Sequence, residues 1–301
     1  MSAEAPSQIR KKRAVSSFVE STIEFLIRTC GWSSIFLVAA IFFFIIYNCA
    51  PIFGRIHWGD FFGSTQWHPK ETPGEFGILA MLLGNALVAL LAMIFAIPFG
   101  LGAAVYISEF AGPKSKEWIK IGIEVLAAVP SIVWGFIGVT IIGPVLIGWG
   151  APMGTNLING AIVLGLMSVP LVVSLSEDAL RAVPDSYREA ALALGANKWE
   201  SVYRVLFPAA KNGLLAACML GVGRAIGETM AVLLCTGNQN KIPTSLFDPI
   251  KTLTSTIASE MGDAEVGQPH AQVLFLLGLV LLVITGAINL IANVVIRGRK
   301  S

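Results

Sequence analysis

The sequence predicts an all-α protein that crosses a membrane six times. Of its 301 residues, 55% are hydrophobic and only 13% are charged, about half the charged content of an average soluble domain. About 20 consecutive apolar residues cross a bilayer as a helix. Six segments meet or approach that length: residues 26–49, 78–107, 119–149, 157–176, 210–236 and 271–296. They lack the strict alternation of barrel strands, so helices are the predicted spanning element.

The first hydrophobic segment is predicted to remain in the membrane. It is longer than the apolar region of a secretory signal peptide, and no small-residue cleavage site follows it. Residues 1–25, which carry no recognised motif, and residues 297–301 are predicted tails on either side of a transmembrane domain over residues 26–296. Four prolines lie inside the predicted spans: Pro98, Pro130, Pro144 and Pro170. Neighbouring helices of a bundle can satisfy the carbonyl groups that these prolines leave free.

A polar stretch between the fourth and fifth spans is predicted to form two short helices separated by a hinge. Asp185 is predicted to cap a helix over residues 186–194, and Gly195 can end that helix in the left-handed conformation. Asn197 is predicted to cap a second helix, with Glu200 three residues later completing a capping box. Connections between helices are commonly short and featureless, so this shaped stretch indicates a docking surface for another protein.

The same stretch resembles the EAA loop of the permeases of ATP-binding-cassette (ABC) importers. The motif residues are Glu189, Ala190, Ala191, Gly195, Val205, Phe207 and Pro208. Val205 and Phe207 stand where the motif usually has Ile and Leu, which keeps the contact apolar. The resemblance implies insertion into a groove of an ATP-hydrolysing subunit, to which Trp199 and two neighbouring leucines offer apolar area. Pro208 is predicted to open the next span. The alternative is an amphipathic connector on the bilayer surface.

Lysine and arginine are divided very unequally between the two sets of connecting segments, which predicts the orientation of the chain. Sixteen fall in one set: Arg10, Lys11, Lys12, Arg13, Arg28, Lys114, Lys116, Lys120, Arg181, Arg188, Lys198, Arg204, Lys211, Arg297, Arg299 and Lys300. Four fall in the other: Arg55, Lys70, Lys241 and Lys251. Basic residues are enriched on the cytoplasmic side. Both termini and the EAA-like loop are therefore predicted to be cytoplasmic, where ATP is found.

The fifth predicted span contains two charged residues, Arg224 and Glu228, four positions apart and hence on one face of a helix. An arginine at a helix centre costs about 2.5–3.5 kcal/mol on insertion scales, so such residues normally face the bundle interior and find a partner. One interpretation is an ion pair that fixes helix packing. The other is a functional site, because the planar guanidinium group suits an oxyanion and glycines surround Arg224 in the sequence.

The segment GRAIGETMAV, residues 223–232, resembles the fifth span of the PstC-type permease subunit of bacterial phosphate importers. Further stretches agree: residues 84–85, 98–100, 106–109, 129–135, 237–238, 245–249 and 252–254. The resemblance covers about residues 32–293. It implies translocation of inorganic phosphate across the bacterial cytoplasmic (inner) membrane by alternating access. Arg224 would contact or attract the anion, Glu228 would hold Arg224, and Thr229 would belong to the same pathway.

The resemblance also implies partners. These are a PstA-like second permease, two copies of an ATP-binding subunit, a periplasmic or surface-tethered phosphate-binding protein and a phosphate-sensing regulator. Membrane lipid surrounds the spans, and no nucleic-acid partner is expected. The binding protein would meet the long connections over residues 51–77 and 237–270, of which residues 252–261 are predicted to be helical. Two alternatives remain: a permease for molybdate, sulfate or phosphonate, and a stand-alone secondary carrier or channel.

The sequence predicts no catalytic or metal site in this chain. The cysteines lie in or near hydrophobic spans without metal-ligand spacing and are predicted to be packing residues: Cys30, Cys49, Cys218 and Cys235. The three histidines form no ligand cluster. No G-x-x-x-x-G-K-[ST] phosphate-binding loop occurs in the sequence. We therefore expect a transport subunit rather than an enzyme, with ATP and magnesium bound by the partner ATPase.

Overall fold

The computed structural model describes residues 5–71 and 74–297. Within these residues it is a bundle of α-helices with one short β-hairpin. Six helices are long and apolar enough to cross a membrane: Glu20–Ile52, Leu79–Phe110, Ser131–Gly148, Leu157–Arg181, Lys198–Gly227 and Pro269–Ala292. The predicted all-α fold with six spans is confirmed. The ends of the two predicted tails, residues 1–4 and 298–301, lie outside the described residues.

The elements follow one another along the chain with short connections. The helices are α1 (Ala5–Cys49), α2 (Trp58–Gly63), α3 (Leu79–Val105), α4 (Pro113–Ala128), α5 (Ser131–Ile137), α6 (Gly143–Gly148), α7 (Leu157–Arg181), α8 (Asp185–Ala193), α9 (Lys198–Ser201), α10 (Phe207–Gly227), α11 (Met230–Cys235), α12 (Leu253–Glu260) and α13 (Pro269–Arg297). The antiparallel strands are β1 (Trp67–His68) and β2 (Glu75–Phe76). A 3₁₀ turn covers Ala50–Ile52, and π-helical segments cover Tyr106–Phe110, Gly138–Ile142 and Val202–Leu206.

The centre of the bundle is the pair formed by α3 and α7, of which α7 is the most buried of the six spans. Small residues bring their backbones together. A Cβ atom on Gly100 would lie 2.6 Å from Val172 Cγ1, and one on Gly165 would lie 3.0 Å from the carbonyl oxygen of Ala92. Close approach through small residues is common between helices in lipid. Helix α10 packs against both members of this pair, so the fifth span is positioned by the core.

Helix α1 lies at the edge of the bundle and packs mainly on α13. The rings of Phe44 and Phe275 meet edge to face with their centroids 5.6 Å apart. Most of the described side chains of α1 are apolar and exposed. Such a surface suits contact with lipid tails, because nothing is gained there by hiding apolar groups from water.

The predicted N-terminal tail, residues 1–25, is helical from Ala5 onward and continues directly into the first span. The prediction of a separate tail is therefore wrong for its described part. Between residues 7 and 50 the sequence contains no proline and a single glycine, Gly31. These are the residues that most disfavour a helix interior, so nothing ends the helix before the membrane begins.

The third predicted span, residues 119–149, is wrong in extent. Helix α4 ends at Ala128, Val129 and Pro130 have extended backbone angles, and only Ser131–Gly148 is a membrane-length apolar helix. Pro130 has no N–H to donate, and its ring disfavours the helical conformation of the residue before it. The proline therefore divides one apolar stretch into two helices.

The first of these two helices, α4, is attached to α7 by ion pairs. The carboxylate of Glu177 on α7 lies 3.2 Å from Lys116 Nζ and 2.7 Å from Lys120 Nζ. Arg181, one turn further along α7, approaches the same carboxylate to 3.5 Å. The Glu177 side chain is only 4% exposed. A carboxylate so buried requires compensating charge, and α4 supplies most of it.

At the opposite end of the bundle from the EAA-like loop, Glu260 joins the two long connections. Its carboxylate accepts hydrogen bonds from Trp67 Nε1 at 3.0 Å and from Lys251 Nζ at 2.5 Å, and it pairs with His270 Nε2 at 2.9 Å. Burial alone would raise the pKa of Glu260, but the hydrogen bonds from Lys251 and His270 outweigh burial and lower it. A charged carboxylate therefore holds these segments together.

Helix α12 corresponds to the predicted helical stretch at residues 252–261 and occupies Leu253–Glu260. Thr252 begins it with a capping box: its hydroxyl accepts from the N–H of Ser255, whose hydroxyl accepts from the N–H of Thr252. Several hydroxyl-bearing residues in this region are fully buried. They are hydrogen-bonded within the protein, as buried polar groups usually are, so α12 is a fixed part of the bundle.

Candidate functional site

The EAA-like loop begins with α8, which ends in the predicted hinge. Gly195 has φ +82°, a left-handed conformation. Its N–H donates to the carbonyl of Leu192 at 3.0 Å, and the N–H of Ala196 donates to the carbonyl of Ala191 at 3.1 Å. These two bonds form a Schellman motif, the usual helix ending at a left-handed glycine. The predicted stop at Gly195 is present, and it sets the direction in which the chain continues.

The second loop helix, α9, has the predicted capping box. The Asn197 side chain accepts from the N–H of Glu200 at 2.8 Å, and the Glu200 carboxylate accepts from the N–H of Asn197 at 2.9 Å. The predicted cap on the first helix is wrong, because Asp185 is the first residue of α8 and Pro184 occupies the capping position. Proline cannot cap through a side chain, and Asp185 instead lies in the first turn, where its charge suits the helix dipole.

Helix α9 does not end before the membrane, so the predicted opening of the fifth span at Pro208 is wrong. The π-helical segment Val202–Leu206 connects α9 to α10, and one span runs without a break from Lys198 to Gly227. Pro208 lies in the first turn of α10, where its missing N–H causes little loss. A movement of the loop therefore passes into the fifth span through continuous helix.

The tip of the loop presents apolar side chains to its surroundings. Leu194 is 89% exposed, and Leu192 and Trp199 are more than half exposed. Tyr187 and Tyr203 extend the same exposed surface. Contiguous exposed apolar area is uncommon on soluble surfaces and marks contact sites. We call these five residues the apolar tip.

The six residues predicted to couple the loop to an ATPase are not equally accessible. Five of them are exposed: Glu189, Ala190, Gly195, Trp199 and Pro208. Ala191 is buried and its carbonyl takes part in the ending of α8. Ala191 therefore supports the fold of the loop, while the other five are placed where a partner could contact them.

The loop is anchored by Arg188, which sequence reasoning did not single out. Its guanidinium group reaches the carboxylate of Glu109, at the end of the second span, with the shortest contact at 3.0 Å. The hydrogen bond to Glu109 raises the pKa of Arg188. The order REAA placed an arginine beside the motif, but its partner lies 79 residues away, and one sequence gives no sign of that pairing.

In the fifth span, the predicted placement of Arg224 and Glu228 on one helix face is wrong. Helix α10 ends at Gly227, and Glu228 has an extended backbone with ψ 134°. The chain then re-enters a helix at Met230. Within the described residues, Arg224 and Glu228 form no ion pair within 4 Å. The break turns Glu228 away from the helical position that a four-residue spacing would give it.

Three contacts stabilise this break. The Glu228 carboxylate accepts from the N–H of Ala231 at 3.3 Å, so it caps the helix that follows. The hydroxyl of Thr254, in α12, donates to the carbonyl of Glu228 at 2.8 Å. The Thr229 hydroxyl donates to the carbonyl of Gly227 at 3.3 Å. Unpaired backbone groups are costly in a membrane, and these bonds satisfy some of those that the break exposes.

Arg224 itself lies on the outer surface of α10. It is exposed, as is Leu220 one turn before it, and no hydrogen bond or ion pair ends its side chain within the described chain. Of the nearby glycines, Gly221 packs tightly, since a Cβ atom there would lie 2.8 Å from Met93. Gly227 faces open space. The space beside Arg224 therefore comes from Gly227 and the break, not from every glycine in the segment.

The other predicted features are placed as follows. Cys49 and Cys235 are buried and Cys218 is half-buried, which agrees with a packing role, but Cys30 is exposed, so its predicted packing role is wrong within this chain. Among the residues whose side chains are described, no group of three or more histidine, cysteine or acidic residues is arranged to hold a metal ion.

Six spans, a structured loop with an apolar tip and an arginine without a partner in the described chain define a permease-type membrane transport protein. Residues 96–299 match the family described as binding-protein-dependent transport system inner membrane components, and the chain belongs to that family. It is accordingly a multi-pass membrane protein and a transport component rather than an enzyme.

Several curated proteins are similar to this chain over most of their length. It is 36% identical to the probable ABC transporter permease protein YqgH of Bacillus subtilis, covering 80% of this chain and 76% of that protein. It is 35% identical to the phosphate transport system permease protein PstC of Haemophilus influenzae, covering 79% and 81%. For PstC of Pasteurella multocida the identity is 34%, covering 85% and 88%. The predicted resemblance to PstC-type permeases is confirmed.

Solved structures show the same fold at low sequence identity. An inward-facing structure of the MetNI methionine ABC transporter matches with a TM-score of 0.58 and 17% identity, covering 73% of this chain and 94% of that chain. A bacterial ABC transporter involved in the import of the polysaccharide alginate matches with a TM-score of 0.58 and 14% identity, covering 89% and 96%. These neighbours support the fold alone. The roles of Arg224, Glu228, Thr229 and the loop residues remain predictions.

Proposed function

We propose that this chain is a permease subunit of an ATP-driven importer and that it carries inorganic phosphate across the cytoplasmic membrane by alternating access. Two kinds of observation support the proposal. The chain belongs to a binding-protein-dependent transport family, and relatives at 34–35% identity are named phosphate transport system permeases. The residues of the fifth span supply the chemistry.

The single observation that carries the proposal is the position of Arg224. Its guanidinium group is exposed on a membrane span, next to a break in the helix and without a partner in the described chain. A free cation facing lipid is expensive, so another protein surface or an anion has to cover it. A guanidinium group donates paired, charge-assisted hydrogen bonds to phosphate oxygens. Binding at this point would be weak, because transport requires release as well as entry.

Glu228 and Thr229 have a different role in this proposal from the one that the sequence suggested. Both stabilise the break through capping and backbone contacts. They therefore position Arg224 by ending α10 immediately after it. A carboxylate that is not paired with Arg224 also leaves all five guanidinium N–H groups for the anion.

The partners follow from what this chain exposes. A second, PstA-like permease would cover the surface around Arg224 and complete the pathway. An ATPase subunit would receive the apolar tip, and a second copy would serve the other permease, with ATP and magnesium bound there. A phosphate-binding protein would dock on the connections that Glu260 ties together. Lipid would cover α1.

The test of this proposal is purification followed by transport. The chain, coexpressed with a PstA-like permease and an ATPase subunit, is expected to copurify with both in mild detergent. In vesicles with the phosphate-binding protein outside and ATP inside, labelled phosphate should accumulate. Unlabelled phosphate should compete, whereas sulfate, molybdate and phosphonate should not. Transport by the purified chain alone, driven by an ion gradient, would instead establish a secondary carrier.

The proposed orientation places the EAA-like loop and both termini in the cytoplasm, on the basis of sixteen basic residues against four. In a variant whose four native cysteines are replaced by alanine, Val266→Cys should react with a membrane-impermeant thiol reagent added outside intact cells. Lys114→Cys should react only after the membrane is opened. Both positions are exposed, and neither belongs to the apolar tip. The reverse pattern of labelling would refute the orientation.

A further inference from the structure

Arg188 occupies a junction between three elements of the fold. Its Nε donates to Glu109 at 3.2 Å, and its Nη2 donates to Glu109 at 3.0 Å and to the carbonyl of Leu180 at 2.9 Å. Its Nη1 donates to the carbonyl of Val183 at 2.7 Å and to Asp185 at 3.1 Å. The guanidinium group therefore binds the end of the second span, the end of the fourth span and the start of α8 at once.

The two charged partners of Arg188 differ in their surroundings. The side chain of Glu109 is 13% exposed and that of Arg188 is 20% exposed, whereas Asp185 is 87% exposed. Glu109 is further fixed by the hydroxyl of Ser108, which donates to it at 2.7 Å. Partly buried, charge-assisted pairs with paired donors hold their geometry well, while exposed pairs contribute little. The pair with Glu109 is therefore the contact that matters.

The position of Arg188 in the chain gives this junction a direction. It directly precedes Glu189, the first residue of the EAA motif, and it lies on the same short helix as the start of the apolar tip. The fifth span is continuous with the loop through helix. The second span is not. Apolar side chains at its end, including Ile107, share a buried cluster with Val202 and Leu206, but such contacts can slide. The guanidinium fork fixes one relative orientation.

We propose that Arg188 is a positioning residue that passes the movement of the loop to the second and fourth spans, so that they turn together with the fifth when the ATPase closes. This inference rests on the proposed function, because it requires an ATPase on the apolar tip. Arg188 does not touch the transported anion or the nucleotide. Its effect is on how many anions are moved for each ATP that is hydrolysed.

The test compares three variants with a matched control in the assembled complex. Arg188→Lys keeps the charge but loses the fork, Glu109→Gln keeps the shape but loses the charge, and the double variant loses both. Asp185→Asn, which removes the exposed partner alone, is the control. For each assembled complex, phosphate uptake and ATP hydrolysis are measured in the same vesicles and expressed as a ratio.

Both single variants are expected to hydrolyse ATP and to lower the ratio of uptake to hydrolysis by roughly 5- to 150-fold, the usual range for coupling between two sites. The double variant should lose no more than the worse single variant, since the two residues act as a unit. Asp185→Asn should leave the ratio unchanged. A normal ratio in the assembled single variants would overturn the inference, even if fewer complexes form. Failure of the unaltered chain to bind an ATPase would instead refute the proposed function.

Discussion

Replacing Arg224 with glutamine is expected to lower phosphate uptake by roughly 10- to 100-fold, since a hydrogen bond to a charged group contributes about 1.5–3 kcal/mol. Glutamine still forms hydrogen bonds, but it has neither the fixed charge nor the paired donors that suit an oxyanion. Arg224 is the only lysine or arginine inside the described span Lys198–Gly227 beyond its first half. The measurement is uptake of labelled phosphate per assembled complex.

The structure changes the expected cost of this substitution to the fold. If Arg224 were paired with Glu228, its loss would leave a buried carboxylate alone, at about 3–5 kcal/mol. No such pair is formed in the described chain, and Glu228 is occupied in capping the helix that follows. Arg224→Gln should therefore assemble normally. The substitution tests transport rather than stability.

Two further variants make the result specific. Lys211→Gln removes an exposed positive charge from the same helix, α10, at a distance from the break, and should leave uptake unchanged. Glu228→Gln retains a side-chain oxygen to accept from Ala231, so it should lower uptake less than Arg224→Gln. If Arg224→Gln transports phosphate at the normal rate, Arg224 is a packing residue, and the proposed role of this span in anion transport is wrong.

The parts of the fold that sequence predicted correctly are those decided by local chemistry. A run of about 20 apolar residues has one stable form in a bilayer, so the six spans were predictable. The hinge was predictable because glycine adopts φ +82° without strain. The capping box was predictable because Asn197 and Glu200 satisfy each other's backbone N–H groups regardless of what surrounds them.

The errors arose where distant contacts decide between two local possibilities. Pro98 and Pro170 lie inside continuous helices, whereas Pro130 separates two. The first two prolines belong to α3 and α7, which pack on each other at the centre of the bundle. Helix α4, which precedes Pro130, has no buried residues. The same residue type is therefore carried through a helix or ends it according to the packing around it.

The candidate site was less predictable than the fold for the same reason. The sequence identified Arg224 as a charge inside a span, but its relation to Glu228 depends on the hydroxyl of Thr254, which lies 26 residues away and supports the break. The pairing of Arg188 with Glu109 spans a still longer separation. Spacing along the chain indicates helix neighbours at three and four residues, and it carries no information on contacts of this kind.

Replacing Gly195 with valine is expected to abolish most of the coupling between ATP hydrolysis and uptake while all six spans still insert. A Cβ atom at this position would meet nothing within 4 Å, so there is no clash with a neighbour. The cost arises from the backbone: a left-handed conformation costs an ordinary residue roughly 1–2 kcal/mol, and more for a β-branched one. The chain would relax toward negative φ, which breaks the Schellman motif and turns α9 and the apolar tip in a new direction.

Two comparisons separate this effect from a general loss of stability. Gly195→Asn should retain most of the coupling, because asparagine tolerates the left-handed conformation better than other residues with a side chain. Gly122→Val, on the exposed helix α4, also adds its side chain to open space but at a helical φ, and should leave transport unchanged. The measurements are copurification of the ATPase and uptake per ATP hydrolysed. Normal coupling in Gly195→Val would mean that the direction of the loop does not matter, and the proposal that the apolar tip docks in a groove of the ATPase would be wrong.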